Sequence, residues 1–364
     1  MATRRPTISD VARHVGVSKG AVSFALNGRG GVSADTRDRI LAAARELGWL
    51  PNHRARSLSV SRAFALGLVL ERAPELLRAD PFFPSFIAGV ETILAPAGYA
   101  LVLQVVSDDR AEEAGYRRLA GEGRVDGVFL SDLRTNDQRI GLLAELGLAA
   151  VTLNRPDVPS PFTAVCQDDG PGIRQAVDHL VQLGHTRIAH VSGPAPFLHA
   201  VNRRDAWAAA VAGARLPKAP LVKSDFTAQG GAIATAKLLD LADPPTAIVY
   251  ANDLMAIAGI GVAHHRGLRV PADLSVTGFD DAELSSHTHP PLTTITADPF
   301  GWGRAAATTL LDVVEGRRVA DVDLEPALLE IRQSTAAPPR RRAQKPRGTG
   351  VSSAAKPVNR KENR

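Results

Sequence analysis

The sequence predicts an α/β protein: an N-terminal three-helix unit with a helix-turn-helix, followed by a two-lobed domain of parallel sheets covered by helices. Three observations predict it. Short helical patterns fill the first fifty residues, a βα alternation runs from Phe64 past Asp280, and that alternation divides near residue 168.

At 364 residues the chain exceeds what one ordinary core fills, which suggests about two to three domains. Apolar residues make up 45% and charged residues 22%, and no apolar run is long enough to span a membrane, so the bulk reads as soluble and globular. The start, MATRRPTISD, is basic but lacks the apolar stretch of a secretory signal, which places the expected location in the cytoplasm. A lone cysteine, Cys166, excludes an internal disulfide framework and any thiolate metal cluster, and reads as a small buried side chain. The net charge of +5 hides an asymmetry: residues 1–62 carry +7 and residues 338–364 carry +8, leaving 63–337 at −10. Basic ends suit a polyanionic partner; in the tail they equally serve solubility.

The segment ISDVARHVGVSKGAVSFALN, residues 8–27, carries two helical patterns around a tight break. Ser9 is the expected cap of the first, whose face is Ile8, Val11, Ala12 and Val15, and Gly16 ends it. Ser18 caps the second, with Val22 and Leu26 as its buried stripe and Lys19, Ser23 and Phe24 presented outward. A third helix starts after Ser33, with Asp35 in its first turn, an apolar face of Ile40, Leu41, Ala44 and Leu47, and a stop at Gly48. Two helices joined by a Gly-containing turn fit the motif whose second helix enters the major groove; a packing unit with no DNA role fits the same pattern.

The order DVARHVGVSKGAVSFALNG, VSADTRDRILAAARELGWLPN and ARSLS closely resembles the headpiece and hinge of the LacI/GalR (lactose and galactose repressor) family. The resemblance covers about residues 7–335 and implies a headpiece over 1–52, a hinge over 53–62, an effector and dimerisation domain over 63–335 and a basic disordered tail over 336–364. Lobe 1 of that domain would comprise about 63–167 and 298–325, and lobe 2 about 168–297 and 326–335. The DNA-contacting set it implies is Thr7, Ser18, Lys19, Gly20, Ala21, Ser23, Phe24, Asn27 and Arg29 in the headpiece, and Asn52, Arg54, Ala55 and Leu58 in the hinge. Leu58, beside Arg54 and Arg56, is the expected minor-groove wedge, with a packing residue in a linker as the plainer reading. Many relatives carry Arg where Phe24 stands and a larger side chain where Gly20 stands. Phe24 suits a thymine methyl where Arg would read guanine, and Lys19 suits guanine acceptors.

From residue 65 the runs ALGLVL, ALVLQVV and VDGVFLS alternate with SFIAGVETILAPAG and EEAGYRRLAGEG. The rhythm resumes after Asp169 through RIAHVSG, TAIVYAND and LSVTGFDD. Two lobes imply a cleft between them. GPGIRQA lacks the third glycine of a dinucleotide loop and no phosphate-binding GxxxxGK[ST] is present. Adjacent His264 and His265 do not share a helix face as a metal pair needs, and no nucleophile is organised with a base and an orienting acid. No enzyme activity, metal or cofactor is expected.

DPFFPSFIAGVE, HLVQLGHTRIAHVSGP, NRRDAW, YANDLMAIAGI and SVTGFDDAELSSHTHPPLTTI resemble the family's effector-domain landmarks in order; that domain is similar to periplasmic sugar-binding proteins. The resemblance implies an effector site of Phe82, Phe83, Asn154, Arg203, Phe226, Asn252 and Asp280, with Trp207 in the core. The residue chemistry agrees, because vicinal hydroxyls suit Asp, Asn and Arg while apolar sugar-ring faces suit aromatics. Helix capping is the alternative for Asp280 and Asn252. The expected protein is a repressor: a homodimer on a palindromic operator in double-stranded DNA, controlled by a sugar-like effector acting as inducer or corepressor, without a membrane partner. A sugar-binding receptor without a regulatory role is the rival reading.

Overall fold

The computed structural model describes residues 6–26, 30–49, 62–72, 78, 80–217 and 219–339. Helices α1 (Ile8–Val15), α2 (Lys19–Leu26) and α3 (Ala34–Glu46) enclose one small core of Val11, Ala12, Val22, Ala25, Ile40, Ala43 and Ala44. The cap of α1 is Thr7 rather than Ser9: the Asp10 carboxylate accepts from the Thr7 backbone N–H at 2.9 Å and from its hydroxyl at 2.7 Å. Gly16 closes this helix at φ 73°, a conformation glycine adopts without strain, and Ser18 Oγ accepts from Ala21 N–H at 3.1 Å to start the next. In α2 it is Ala25 that is buried with Val22, while Leu26 is half-buried, and in α3 Ala43 takes the core position expected of Leu41. Three helices this close leave room for alanine at their crossing points.

The second unit contains two parallel sheets. Lobe 1 is built on β1 (Ala65–Glu71), β2 (Ala100–Val106), β3 (Gly127–Leu130), β4 (Ala149–Leu153), β5 (Thr163–Cys166) and β11 (Val322–Asp323), ordered β11-β5-β4-β3-β1-β2. Its helices are α4 (Phe82–Ala97), α5 (Asp109–Gly121), α6 (Arg139–Glu145) and α11 (Pro299–Val314). Lobe 2 has β6 (Ile188–Ser192), β7 (Leu221–Lys223), β8 (Ala247–Tyr250) and β9 (Ser275–Thr277) in the order β7-β6-β8-β9. Around them lie α7 (Gly170–Gln182), α8 (Leu198–Gly213), α9 (Ala228–Leu239) and α10 (Asp253–His265), with an antiparallel pair β10 (Thr294–Thr296) and β12 (Leu328–Glu330) at one side. Strands β3, β6 and β8 are buried along their whole length, as strands covered by helices on both faces must be. Edge strand β2 instead leaves Leu103 and Val105 exposed.

The chain crosses between lobes three times, from β5 to α7, from β10 to α11 and from β11 to β12. A further tie lies opposite these in sequence: Leu198 N–H donates to Leu133 O at 2.8 Å, Thr135 N–H donates to Pro196 O at 2.9 Å, and Leu198 packs into the lobe 1 core beside Val69 and Tyr116. Within lobe 1, α4 and α11 meet at two glycines. A Cβ on Gly89 would lie 2.1 Å from Phe300 O and one on Gly303 would lie 2.2 Å from Phe86 O. This close approach brings Phe82 and Trp302, near the N-terminal ends of the two helices, to 5.9 Å between ring centroids.

Gly303→Ala should therefore force α4 and α11 apart. We expect a loss of about 1–3 kcal/mol of stability in urea unfolding, the usual cost of overpacking, whereas Gly261→Ala on exposed space in α10 should be neutral or better.

Candidate functional site

A cavity of about 700 Å³, counting its open mouth, lies between the lobes. Lobe 1 lines it with Arg72, Asp80, Phe82, Ser131, Asp132, Leu133, Leu153, Asn154 and Trp302; lobe 2 contributes Leu198, His199, Arg203, Phe226, Asn252 and Asp280, and Asp169 stands on the β5–α7 crossing. Strand ends and helix starts converge here because parallel strands deliver their carboxyl ends, and the helices that follow, to one side of each sheet.

Two buried guanidiniums organise the walls. On lobe 1, Arg72 donates twice to Asp132 at 2.8 Å each and once to Asp80 at 2.9 Å, above the Phe83 ring at 4.9 Å. Burial works against the Asp132 carboxylate, but Arg72 overrides it and holds its pKa down at about 2. On lobe 2, Arg203 donates to Asp169 at 2.7 Å and to Ala251 O at 2.8 Å, its flat face 3.5 Å from the Phe279 ring centroid. Asp280 stands 4.0 Å from Arg203 and accepts no hydrogen bond from the described residues. Burial raises its pKa well above the usual carboxylate range, Arg203 opposes that, and the carboxylates of Asp253, Asp80 and Asp169 reinforce it.

Aromatic groups complete the walls. Trp302 donates its indole N–H to Val165 O at 2.9 Å. His199 lies one helical turn before Arg203 on α8 and is stacked between Phe197 and Phe226, with centroids 5.6 Å and 5.4 Å away. Burial first, then the nearby Arg203, push its pKa down to about 3, so the imidazole is neutral.

Of the seven expected effector residues, six border this cavity. Phe83 does not: it is fully buried beneath Arg72, since successive helical residues point about 100° apart and only Phe82 of the pair can face the opening. Asn252 is at the wall and also caps α10, accepting from Met255 N–H at 3.0 Å while donating to Phe226 O at 3.0 Å. Asn154 and Phe226 have left-handed backbones, φ 75° and 66°, which turn their side chains at strand or loop ends toward the cleft. Arg72, Asp80, Ser131, Asp132, Asp169, His199 and Trp302 are wall residues that pattern reading missed. Only His199 carried a signal, its i, i+4 spacing from Arg203. Trp207 is in the lobe 2 core, stacked on His190 at 5.3 Å, and Cys166 is buried with its thiol pKa pushed up to about 11 by that burial.

On the headpiece, Thr7, Ser18, Lys19, Gly20 and Phe24 are exposed, and Ala21 and Ser23 are half-buried. Phe24, 42% exposed, lies against Gly31, where a Cβ would meet its ring at 3.4 Å. Asn27, Arg29, Asn52, Arg54, Ala55 and Leu58 lie outside the described residues.

His190, unlike the half-buried His199, is fully buried, and burial lowers its pKa to about 4. Below their ordinary value of 6.5 both imidazoles take up protons in the unfolded chain that the folded chain refuses, so stability is present at neutral pH and lost on acidification toward pH 4. His199→Phe should remove about one proton's share of that slope, roughly 1.4 kcal/mol per pH unit, in urea unfolding compared between pH 6.5 and 5.

Residues 7–52 match the family of bacterial regulatory proteins, lacI family, and residues 177–335 match the periplasmic binding protein-like domain. The chain is 35% identical over 325 residues to the HTH-type transcriptional regulator CelR of Thermobifida fusca, covering 88% of this chain and 95% of that one. Among solved structures, the CelR–cellobiose complex superposes with a TM-score of 0.70 at 33% identity, covering 91% of this chain and all of that one. The lac repressor dimer bound to operator and the anti-inducer ONPF gives 0.81 at 30% identity, covering 92% of this chain and all of the other. A helix-turn-helix joined to a two-lobed domain of this kind, with relatives this similar over nearly their whole length, means that the chain belongs to the LacI family of bacterial regulatory proteins and is a transcriptional regulator, not an enzyme.

Proposed function

We propose that the protein is a repressor whose hold on a palindromic operator is set by a saccharide bound between its lobes. The observation that carries this is the cavity, whose walls come from both lobes, so that any occupant acts on the angle between them. An effector shifts occupancy only by binding the two lobe arrangements unequally, typically by 1–3 kcal/mol of coupling. The wall chemistry supports a hydroxyl-rich ligand: Asp280, Asn154 and Ser131 offer polar atoms beside the Trp302 and Phe82 rings. The cellobiose bound by CelR supports the same class.

Two headpieces reading a palindrome require a two-fold dimer, and the basic N-terminal region of +7 suits phosphate contact. Lys19, Gly20 and Phe24 are read as facing base edges, and Leu58 as the hinge wedge in the minor groove. No described helix is long and apolar enough to cross a membrane, which suits a cytoplasmic regulator.

Fluorescence anisotropy with a selected operator and random DNA tests the reading. Operator binding should be tighter and fall steeply with salt; equal affinity for both sequences would defeat it. Asp280→Asn should abolish the saccharide response while operator affinity stays within about threefold, because it leaves the buried Arg203–Asp169 pair intact, which Arg203→Ala would break. Leu58→Ala should weaken operator binding and bending while sparing non-specific affinity, because a lost wedge removes what offsets base unstacking.

A further inference from the structure

We infer that the effector is an uncharged saccharide and that the cavity rejects phosphorylated or carboxylated sugars. This rests on the reading of the cavity as a saccharide site and narrows the class it takes.

The charge of the walls is the first ground. Four carboxylates, Asp80, Asp132, Asp169 and Asp280, face two guanidiniums, Arg72 and Arg203, and among the described residues no lysine lines the cavity. His199, its pKa pushed down to about 3 by burial, adds no positive charge. A dianionic phosphate ester would enter a partly dehydrated space that already repels it.

The second ground is that both guanidiniums, and one N–H at each helix start, are already engaged. A free fork of N–H donors binds phosphate most specifically, yet Arg72 turns its fork to Asp132 and Asp80, and Arg203 gives Nε to Asp169 and Nη1 to Ala251 O. Helix starts attract anions through unpaired N–H groups, and each start that meets here has one of them taken. At α4, Phe82 N–H donates to Asp80 at 3.0 Å; at α10, Met255 N–H donates to Asn252 at 3.0 Å. At α8 the first N–H goes across the cleft to Leu133 O, and at α7 Gly170 N–H goes to Asp168 at 2.8 Å.

What remains open is suited to neutral hydroxyls. The Asp280 carboxyl has no hydrogen-bond partner among the described residues. Ser131 Oγ at the wall is buried without one. A sugar hydroxyl can donate to the first and exchange a bond with the second, whereas a phosphate oxygen, lacking a proton at neutral pH, cannot donate to a carboxylate.

The full-length protein should be titrated by calorimetry and thermal shift with matched pairs: glucose and glucose 6-phosphate, trehalose and trehalose 6-phosphate, cellobiose and its 6-phosphate, with inorganic phosphate as a bare anion. We expect a neutral member to bind and its phosphate ester to bind about a hundredfold more weakly or worse, with inorganic phosphate at about 10 mM not competing. Asp80→Asn should narrow that ratio about tenfold, by removing a repelling charge and releasing a donor of Arg72. A phosphate ester that binds as well as or better than its neutral partner overturns the inference while leaving the saccharide reading standing. A ratio unchanged in Asp80→Asn overturns its electrostatic basis. If neither series binds, the saccharide reading itself fails and takes this inference with it.

Discussion

The ion pair between Arg203 and Asp169 stands where the chain passes from one lobe to the other. Asp169 lies on the crossing from β5 to α7, Arg203 projects from α8, and the same guanidinium takes the carbonyl of Ala251 at the end of β8. Both side chains are largely buried, so each is costly to leave alone: removing one partner of a buried pair typically costs 3–5 kcal/mol, although the intact pair need contribute little net stability. Its role is to fix three elements at one point. Asp280 stands 4.0 Å from the same guanidinium, and Asn252, next to Ala251, caps α10 and donates to Phe226 O.

Lobe 1 has its own anchor of the same type in Arg72, Asp80 and Asp132, and a second, deeper network behind it. Glu112, almost fully buried, accepts from both Arg134 and Arg139, and Arg139 also pairs with Asp137. Arg134 belongs to the segment that bridges to Phe197 of lobe 2, so the strand end after β3 is held rigid where it touches the other lobe. Leu133 and Leu198, which form that bridge, also line the cavity. An occupant therefore touches the contact that closes the lobes on one another, which gives a physical route from ligand to lobe angle without a long pathway.

Two carboxylates in this region illustrate how neighbours decide chemistry. Asp132 and Asp280 are both buried near a guanidinium, yet one is held at about 2 and the other is driven upward. The difference is distance: Asp132 receives two hydrogen bonds from Arg72, while Asp280 is 4.0 Å from Arg203 and close to other carboxylates. Asp132 is consequently a structural counter-ion and Asp280 a group with bonding capacity to spare.

By itself the sequence determined the kind of protein this is: the paired helical patterns with Gly16 at their turn, the βα rhythm, and the order of landmark segments including NRRDAW and SVTGFDD. The first two are local signals, set by periods of 3.6 and 2 residues and by capping chemistry, and survive without knowledge of contacts; the landmark segments were legible through their resemblance to the family. Through the resemblance of NRRDAW and SVTGFDD to the family's landmarks, sequence reading also reached Arg203 and Asp280. It failed on Phe83, where only the packing of α4 on α11 decides which of two adjacent rings faces the opening, and on Ser9, where the choice of cap depends on which residue Asp10 can reach back to. It failed also on Arg72, Asp132 and Trp302. Asp132 is 60 residues from Arg72, and Trp302 donates to Val165, 137 residues away. No period links such residues; they become neighbours only when the parallel strands bring their carboxyl ends together, and that convergence is a property of the tertiary structure alone.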